Sequence, residues 1–258
     1  MKGIHNYINK QNVMKTFFYI SIILISNLLI YSCTSEKTTE TKSGNKDSAK
    51  IVTTESIRTM NPQTKNGIFA QKLVDRKYGD FFKYPMHDET LNNIWKDPAN
   101  HKLLEDIIED DSISDEAKFL ACVVLDKMDV SYNIRHSPER IAGIYAKALV
   151  NNFTGMANSW GLLYNNEDDG PIGIKFISIG KPAVPILVKL LDNEQVNLTY
   201  SGSGEATIGN AYKYRIKDFA AYYLGRMIGK PLKYYPDLSD RDKQIEKLKE
   251  DLKTYKFD

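Results

Sequence analysis

The sequence predicts a mainly α protein: an irregular α-solenoid or helical bundle carrying one loop or short β-hairpin insert, behind an N-terminal anchor and a polar tether. Three observations support this. Apolar residues recur at helical spacing in four windows between residues 114 and 228. Helix start and stop signals bracket those windows. Strand-like alternation is confined to residues 196–208. The 258 residues are 42% hydrophobic and 26% charged, a balance that argues for a globular chain over a disordered or fibrous one. The formal net charge is +2, but Lys2, Lys10 and Lys15 fall within residues 1–32 with no acid, leaving −1 for the remainder. A near-neutral domain lacks the clustered basic surface that nucleic acid requires, so no nucleic-acid partner is expected.

The first element is the apolar run of residues 17–30, which follows Lys15. A spanning helix needs about 20 apolar residues, so this run has the length of a signal-peptide core. It ends Ile30-Tyr31-Ser32-Cys33, and the chain then turns polar. The stretch resembles the lipobox of bacterial lipoproteins: an aliphatic residue, a variable one, a small one, then cysteine. Ile30, Ser32 and Cys33 fit, and Tyr31 is bulkier than the usual occupant. The resemblance implies that residues 1–32 are a signal peptide, starting at Met1 or Met14, and that Cys33 is acylated. Acyl chains bury about 0.8 kcal/mol per CH₂, which would hold the protein on a membrane without spanning it. The implied location is the bacterial cell envelope. Thr34 is not the aspartate that favours inner-membrane retention in enteric lipoproteins, which points to the outer membrane, facing either side. Residues 33–57 then read as the lipidated cysteine and a flexible Ser/Thr/Lys/Glu-rich tether.

Residues 58–258 read as the helical domain. Weaker helix candidates span 67–77, 90–96 and 101–109. In SDEAKFLACVVLDKM, Ala117, Leu120, Ala121, Val124, Leu125 and Met128 make an apolar stripe, and Ser114 can cap it. In the next window Ile141, Ile144, Tyr145, Ala148 and Leu149 repeat the spacing, with Ser137 as cap and Pro138 at the first helical position. Residues 171–179 form a further candidate. Ala183, Ile186, Leu187, Leu190 and Leu191 carry the third stripe; Ile216, Phe219, Ala220, Tyr223, Leu224 and Met227 carry the fourth. The segment 195–214 interrupts the pattern as a loop or short hairpin. Residues 239–255 close the chain as a charged helix with a thin apolar face, Ile245, Leu248, Leu252 and Tyr255, which suits the end of a stack.

The segment GIKFISIGKPAVPILVKLLDN reads as two antiparallel helices joined at Gly180-Lys181-Pro182. It resembles the HEAT-like repeats of bacterial proteins, on Ile179, Gly180, Ala183, Val184 and Pro185. A second match lies at Arg215, Ala220, Ala221, Leu224, Gly225, Ile228, Gly229 and Pro231. The resemblance covers residues 173–231 and implies a stacked helical-repeat fold.

Candidate chemistry is thin. Gly204 and Gly209 bracket four residues, but Asn210-Ala211 follows where a phosphate loop needs Lys-Ser/Thr. Aligning Gly170 with the invariant glycine of a calcium loop puts Asn165, Glu167 and Asp169 at ligand positions, yet Phe176 stands where the bidentate glutamate belongs. His87, His101 and His136 form no metal-spaced pair. Cys122, among apolar neighbours, reads as a small buried hydrophobe. Tyrosines crowd the insert and the last repeat, where they can line a core or an interface. Tyr200, Tyr212, Tyr214, Tyr222 and Arg226 are the candidate docking face. The expected function is a non-catalytic protein-binding or scaffold module, toxin immunity included, with membrane contact through lipid on Cys33, a protein or peptide partner, and no cofactor. The alternatives are a metal-dependent envelope hydrolase using Asp168, Asp169 and a histidine, or a small-ligand-binding lipoprotein.

Overall fold

Ser114 opens the helix on which the domain is built. Its hydroxyl accepts from the Ala117 amide, and Asp115 and Glu116 sit in the first turn, where the helix dipole favours acids. From Ala117 to Leu125 every side chain is buried, Lys118 included, so the helix is surrounded by others. In the computed structural model the described residues are 64–76, 78–82, 88–129, 131–165, 169–202 and 204–256. The lipobox with Cys33, the tether, His87 and Asp168 lie outside them. The described residues all fall within one contact-defined unit, Glu55–Asp258.

The chain is mainly α, with no strand among the described residues. In order the helices are α1 (Lys65–Val74), α2 (Tyr78–Phe82), α3 (Asp88–Trp95), α4 (Ala99–Glu109), α5 (Asp115–Met128), α6 (Tyr132–Arg135), α7 (Pro138–Asn151), α8 (Pro171–Ile179), α9 (Val184–Leu190), α10 (Gly204–Ala211), α11 (Ile216–Met227) and α12 (Leu238–Thr254). Two of them act as hubs. Helix α5 packs against α1, α3, α4 and α7, and α11 packs against α8, α9 and α12. Aromatic rings join the two halves. Phe119 of α5 meets Tyr145 of α7 edge-on at 5.6 Å and stacks on Trp160 at 6.1 Å; Phe176 of α8 meets Tyr223 of α11 at 5.5 Å. Trp160 is anchored at both ends: its indole donates to Thr154 and its carbonyl accepts from the Tyr223 hydroxyl. A Cβ at position 173 would lie 2.2 Å from that carbonyl, so only glycine lets α8 come this close.

Two expectations are corrected. The α8–α9 pair does not run antiparallel: Gly180, at φ 69°, ends α8 and a single 3₁₀ turn at Lys181–Ala183 redirects the chain by 94°. The 195–214 insert is not a hairpin. Its second half is helix α10, where Gly209 packs against the rings of Tyr164 and Tyr200. The first half pairs with no strand; Asn210 instead bonds both backbone groups of Tyr200 through its side-chain amide.

A buried ion network clamps α11 to α12. Asp218, 1% exposed, accepts from the Arg215 amide at 2.8 Å, from Arg215 Nε at 3.1 Å and Nη2 at 3.0 Å, and from Arg241 Nη1 at 2.7 Å. Glu194 and Asp242 extend it to Arg215 and Lys217. Burial works against the Arg215 guanidinium, but hydrogen bonds with Asp218 and Asp242 more than offset it and its pKa is raised.

Candidate functional site

A second buried carboxylate, Asp126, has a different setting. It lies in the last turn of α5, one turn after buried Cys122, and its side chain is 9% exposed. Three elements converge on it. Tyr145 of α7 donates its hydroxyl to Asp126 Oδ2 in a short hydrogen bond. Lys175 of α8 brings Nζ to 3.7 Å from Oδ1, too far for a good hydrogen bond, and to 3.4 Å from the Asp126 carbonyl. Tyr132 of α6 is fully buried, and its hydroxyl faces the Asp126 carboxylate without a well-formed hydrogen bond.

The sequence places Tyr132 through a pinned turn. Asp129 Oδ1 accepts from the Ser131 amide at 3.0 Å and the Ser131 hydroxyl at 2.7 Å, and Arg135 bridges Asp129 to Glu105. The Ser131 hydroxyl, then Arg135, hold the Asp129 carboxyl down at about 2. That fixes the one-turn helix α6 across the end of α5.

Between these side chains lies a cavity of about 140 Å³, walled on its apolar side by Pro138, Ile141 and Ile179 and rimmed by Asn133 and Ser178. Burial raises the Asp126 carboxyl above the usual carboxylate range, against the opposing effects of the Tyr145 hydrogen bond and the Lys175 charge. Burial also pushes up the Tyr132 and Tyr145 phenols and the Cys122 thiol, so these stay protonated at neutral pH. The site therefore offers a carboxylate with one well-formed hydrogen bond, a phenol hydroxyl loosely set against it, a cation at the rim and an apolar wall. The buried Cys122 thiol, its pKa raised, is not the low-pKa thiolate of a reactive cysteine.

The tyrosine-rich region is arranged differently. Tyr200, Tyr214 and Tyr222 are buried at 5%, 2% and 1% exposure, so their rings belong to the core. Tyr200 donates to the Gly161 carbonyl and accepts from the Leu163 amide, and Tyr222 donates to Asp169. The Arg241 guanidinium lies 4.9 Å over the Tyr214 ring. Tyr212 is half-buried and stacks on Tyr214 at 5.3 Å, while exposed Arg226 holds Asp169 at 2.8 Å. Of the five candidate docking residues, Tyr212 and Arg226 reach the surface. Exposed Val196 and Ile208 lie on the same insert.

Among the described residues, those considered for metal or hydrolytic chemistry do not converge. Asp169 is occupied by Tyr222 and Arg226. His101 stacks on Trp95 and bonds its carbonyl, and His136 pairs with Glu109. Phe176, at the twelfth position of the calcium-like frame, is core. Among the described residues no group of three or more His, Cys, Asp or Glu side chains is placed to hold a metal ion. Also among them, no single helix is long and apolar enough to cross a membrane.

Sequence reading missed Asp126, Tyr132 and Lys175. The available signal was off the stripe: Cys122 and Val123 are apolar where a surface helix would be polar, which marks α5 as buried all round and Asp126 as a charge in the interior. No known family, no curated protein and no solved structure matches this chain.

Proposed function

We propose that this protein is a lipid-anchored lipoprotein of the bacterial envelope whose helical domain serves as a non-catalytic docking or scaffold module for a protein or peptide, a toxin being one such partner. The observation that carries this reading is the order of parts along the chain: the lipobox-like Ile30-Tyr31-Ser32-Cys33, then a Ser/Thr/Lys/Glu-rich polar stretch, then a helical domain. Thr34 after the cysteine favours the outer membrane. The docking face is assigned to the insert and α11: Tyr212 and Arg226 reach the surface, and Val196 and Ile208 of the insert are exposed. Tyrosine and arginine are favoured anchors at protein interfaces, and the insert's backbone at Tyr200 and Ser201 is pinned by Asn210 and Asn158.

Metabolic labelling with a palmitate analogue tests the anchor. Wild type takes the label, and Cys33→Ala does not. Crosslinking in native membranes tests the docking face. One near-stoichiometric protein partner is expected, lost on Tyr212→Ala and Arg226→Ala. Retention of that partner by both variants would remove the docking face from this reading.

A further inference from the structure

We propose that the Asp126 cleft is a binding site for a small zwitterion: an α-amino acid with a short apolar side chain. The inference stands independently of the docking face, which lies on other elements.

Size sets the first limit. Sites for drug-sized ligands run to roughly 300–1,000 Å³. This cavity holds about 140 Å³, the bulk volume of about five waters at roughly 30 Å³ each. It therefore takes a ligand of only several heavy atoms.

Hydrogen-bond accounting sets the polarity. A carboxylate offers about four lone-pair sites. Tyr145 fills one on Oδ2, the Tyr132 hydroxyl faces the carboxylate without a well-formed bond, and Lys175 Nζ stays 3.7 Å from Oδ1. Oδ1 thus calls for a donor. The Tyr132 hydroxyl faces the same carboxylate without a well-formed hydrogen bond, and its oxygen can accept from that donor. Two acceptors facing one small space suit an ammonium group, whose three N–H bonds have no other use.

Charge balance sets the rest. A simple amine would also face Lys175, whose side chain is 41% exposed at the rim and only loosely held. A ligand bearing a carboxylate one carbon from its ammonium turns that repulsion into a second contact. Its ammonium donates to Asp126 Oδ1 and Tyr132, and its carboxylate meets Lys175 Nζ. Its short side chain lies against Ile141 and Ile179. Each polar group left idle in the empty cleft then has a partner, and the burial that penalises a lone Asp126 charge instead strengthens its pairing with the ligand.

Calorimetric titration of the full-length chain, Cys33 intact, in detergent micelles tests this with alanine, methylamine and acetate as probes. Alanine is expected to bind at one per chain. Acetate should bind at least about tenfold more weakly, because it forfeits the charge-assisted bond to Asp126. Methylamine should bind at least about threefold more weakly, because it forfeits the rim pairing with Lys175. Asp126→Asn should cost at least about tenfold in alanine affinity, and Lys175→Gln about threefold. Should Asp126→Asn lose helical circular dichroism, Lys175→Gln and Tyr132→Phe, which leave the carboxylate in place, carry the test. No uptake of alanine overturns the proposal. Methylamine binding as tightly as alanine also overturns it, since that defines a plain cation site. So does alanine binding that ignores both Lys175→Gln and Tyr132→Phe.

Discussion

Asp218 and Asp126 are both buried carboxylates on hub helices, and they are treated in opposite ways. Asp218 receives four donors between 2.7 and 3.1 Å from Arg215 and Arg241. The space beside it, between residues 232–234 and α12, is about 10 Å³. Asp126 receives one hydrogen bond from Tyr145, a loosely set Tyr132 hydroxyl and a lysine at 3.7 Å, next to a cavity of about 140 Å³. A saturated carboxylate in a filled space holds helices together. A poorly served one beside a void is a place for something else to bind. Burial alone does not separate the two roles; the donor inventory does.

The largest expected effect is at the saturated site. Asp218→Ala leaves the Arg215 and Arg241 guanidiniums in a buried setting without their shared partner, and should cost about 3–5 kcal/mol in denaturant unfolding. A loss under about 1 kcal/mol would show that the network is incidental. A double-mutant cycle sharpens the contrast. Asp218 with Arg241 should show a coupling of about 1.5–3 kcal/mol, against less than about 1 kcal/mol for Asp126 with Lys175. Equal couplings would erase the distinction between the two carboxylates.

Asp126→Asn should change stability at neutral pH by no more than about 1 kcal/mol, because it exchanges a penalised charge for an amide that still accepts from Tyr145. The clearer signature is in pH. The folded state binds the Asp126 proton more readily than the unfolded chain, whose carboxyl titrates near about 3.9. Asp126 therefore adds stability as pH falls from above its raised folded value into the ordinary carboxylate range. Asp129 does the reverse: held down at about 2, its contribution is present above the ordinary range and is lost as pH falls toward that value. Urea melts across the acid range should show a gain that disappears in Asp126→Asn and a steeper acid loss that disappears in Asp129→Asn. Smallest of all, Lys175→Gln should shift stability by less than about 0.5 kcal/mol while still weakening alanine binding.

The helical architecture was readable wherever one face of a helix is apolar and its cap is local. Ser114 and Ser137 cap α5 and α7 as expected, Pro138 opens α7, and the stripe of Ile245 and Leu248 marks the buried side of α12. Legibility failed where non-local contacts decide. The alternation of Val196, Leu198 and Tyr200 is real at the level of burial, since Leu198 and Tyr200 face the core and Val196 does not. Alternation cannot say whether a second strand is present, and here an asparagine takes its place. The 94° redirection after Gly180 depends on how α8 and α9 seat against α7 and α11, which no local signal encodes. The Asp126 cleft was hidden for the same reason. Its three supporting side chains come from α6, α7 and α8, up to 49 residues away in sequence. The tyrosines were conspicuous in composition, yet most are spent on the core.

The stretch from Asn193 to Ser201 has the face pattern of a strand but no edge to offer. Asn210 fills both backbone groups of Tyr200, Asn158 occupies the amide and carbonyl of Ser201, Asn152 holds the Asn197 carbonyl, and the Ala157 amide holds that of Thr199. Most of these plugs are side-chain amides, and an amide ages. Hydrolysis of Asn210 to aspartate would replace its donor with a negative oxygen facing the Tyr200 carbonyl, and the bond would be lost. An unplugged strand edge is a template for pairing with another chain. These side-chain amides thus do for the 197–201 backbone what a neighbouring strand does in a sheet, and each one lost would leave a backbone group free to pair elsewhere.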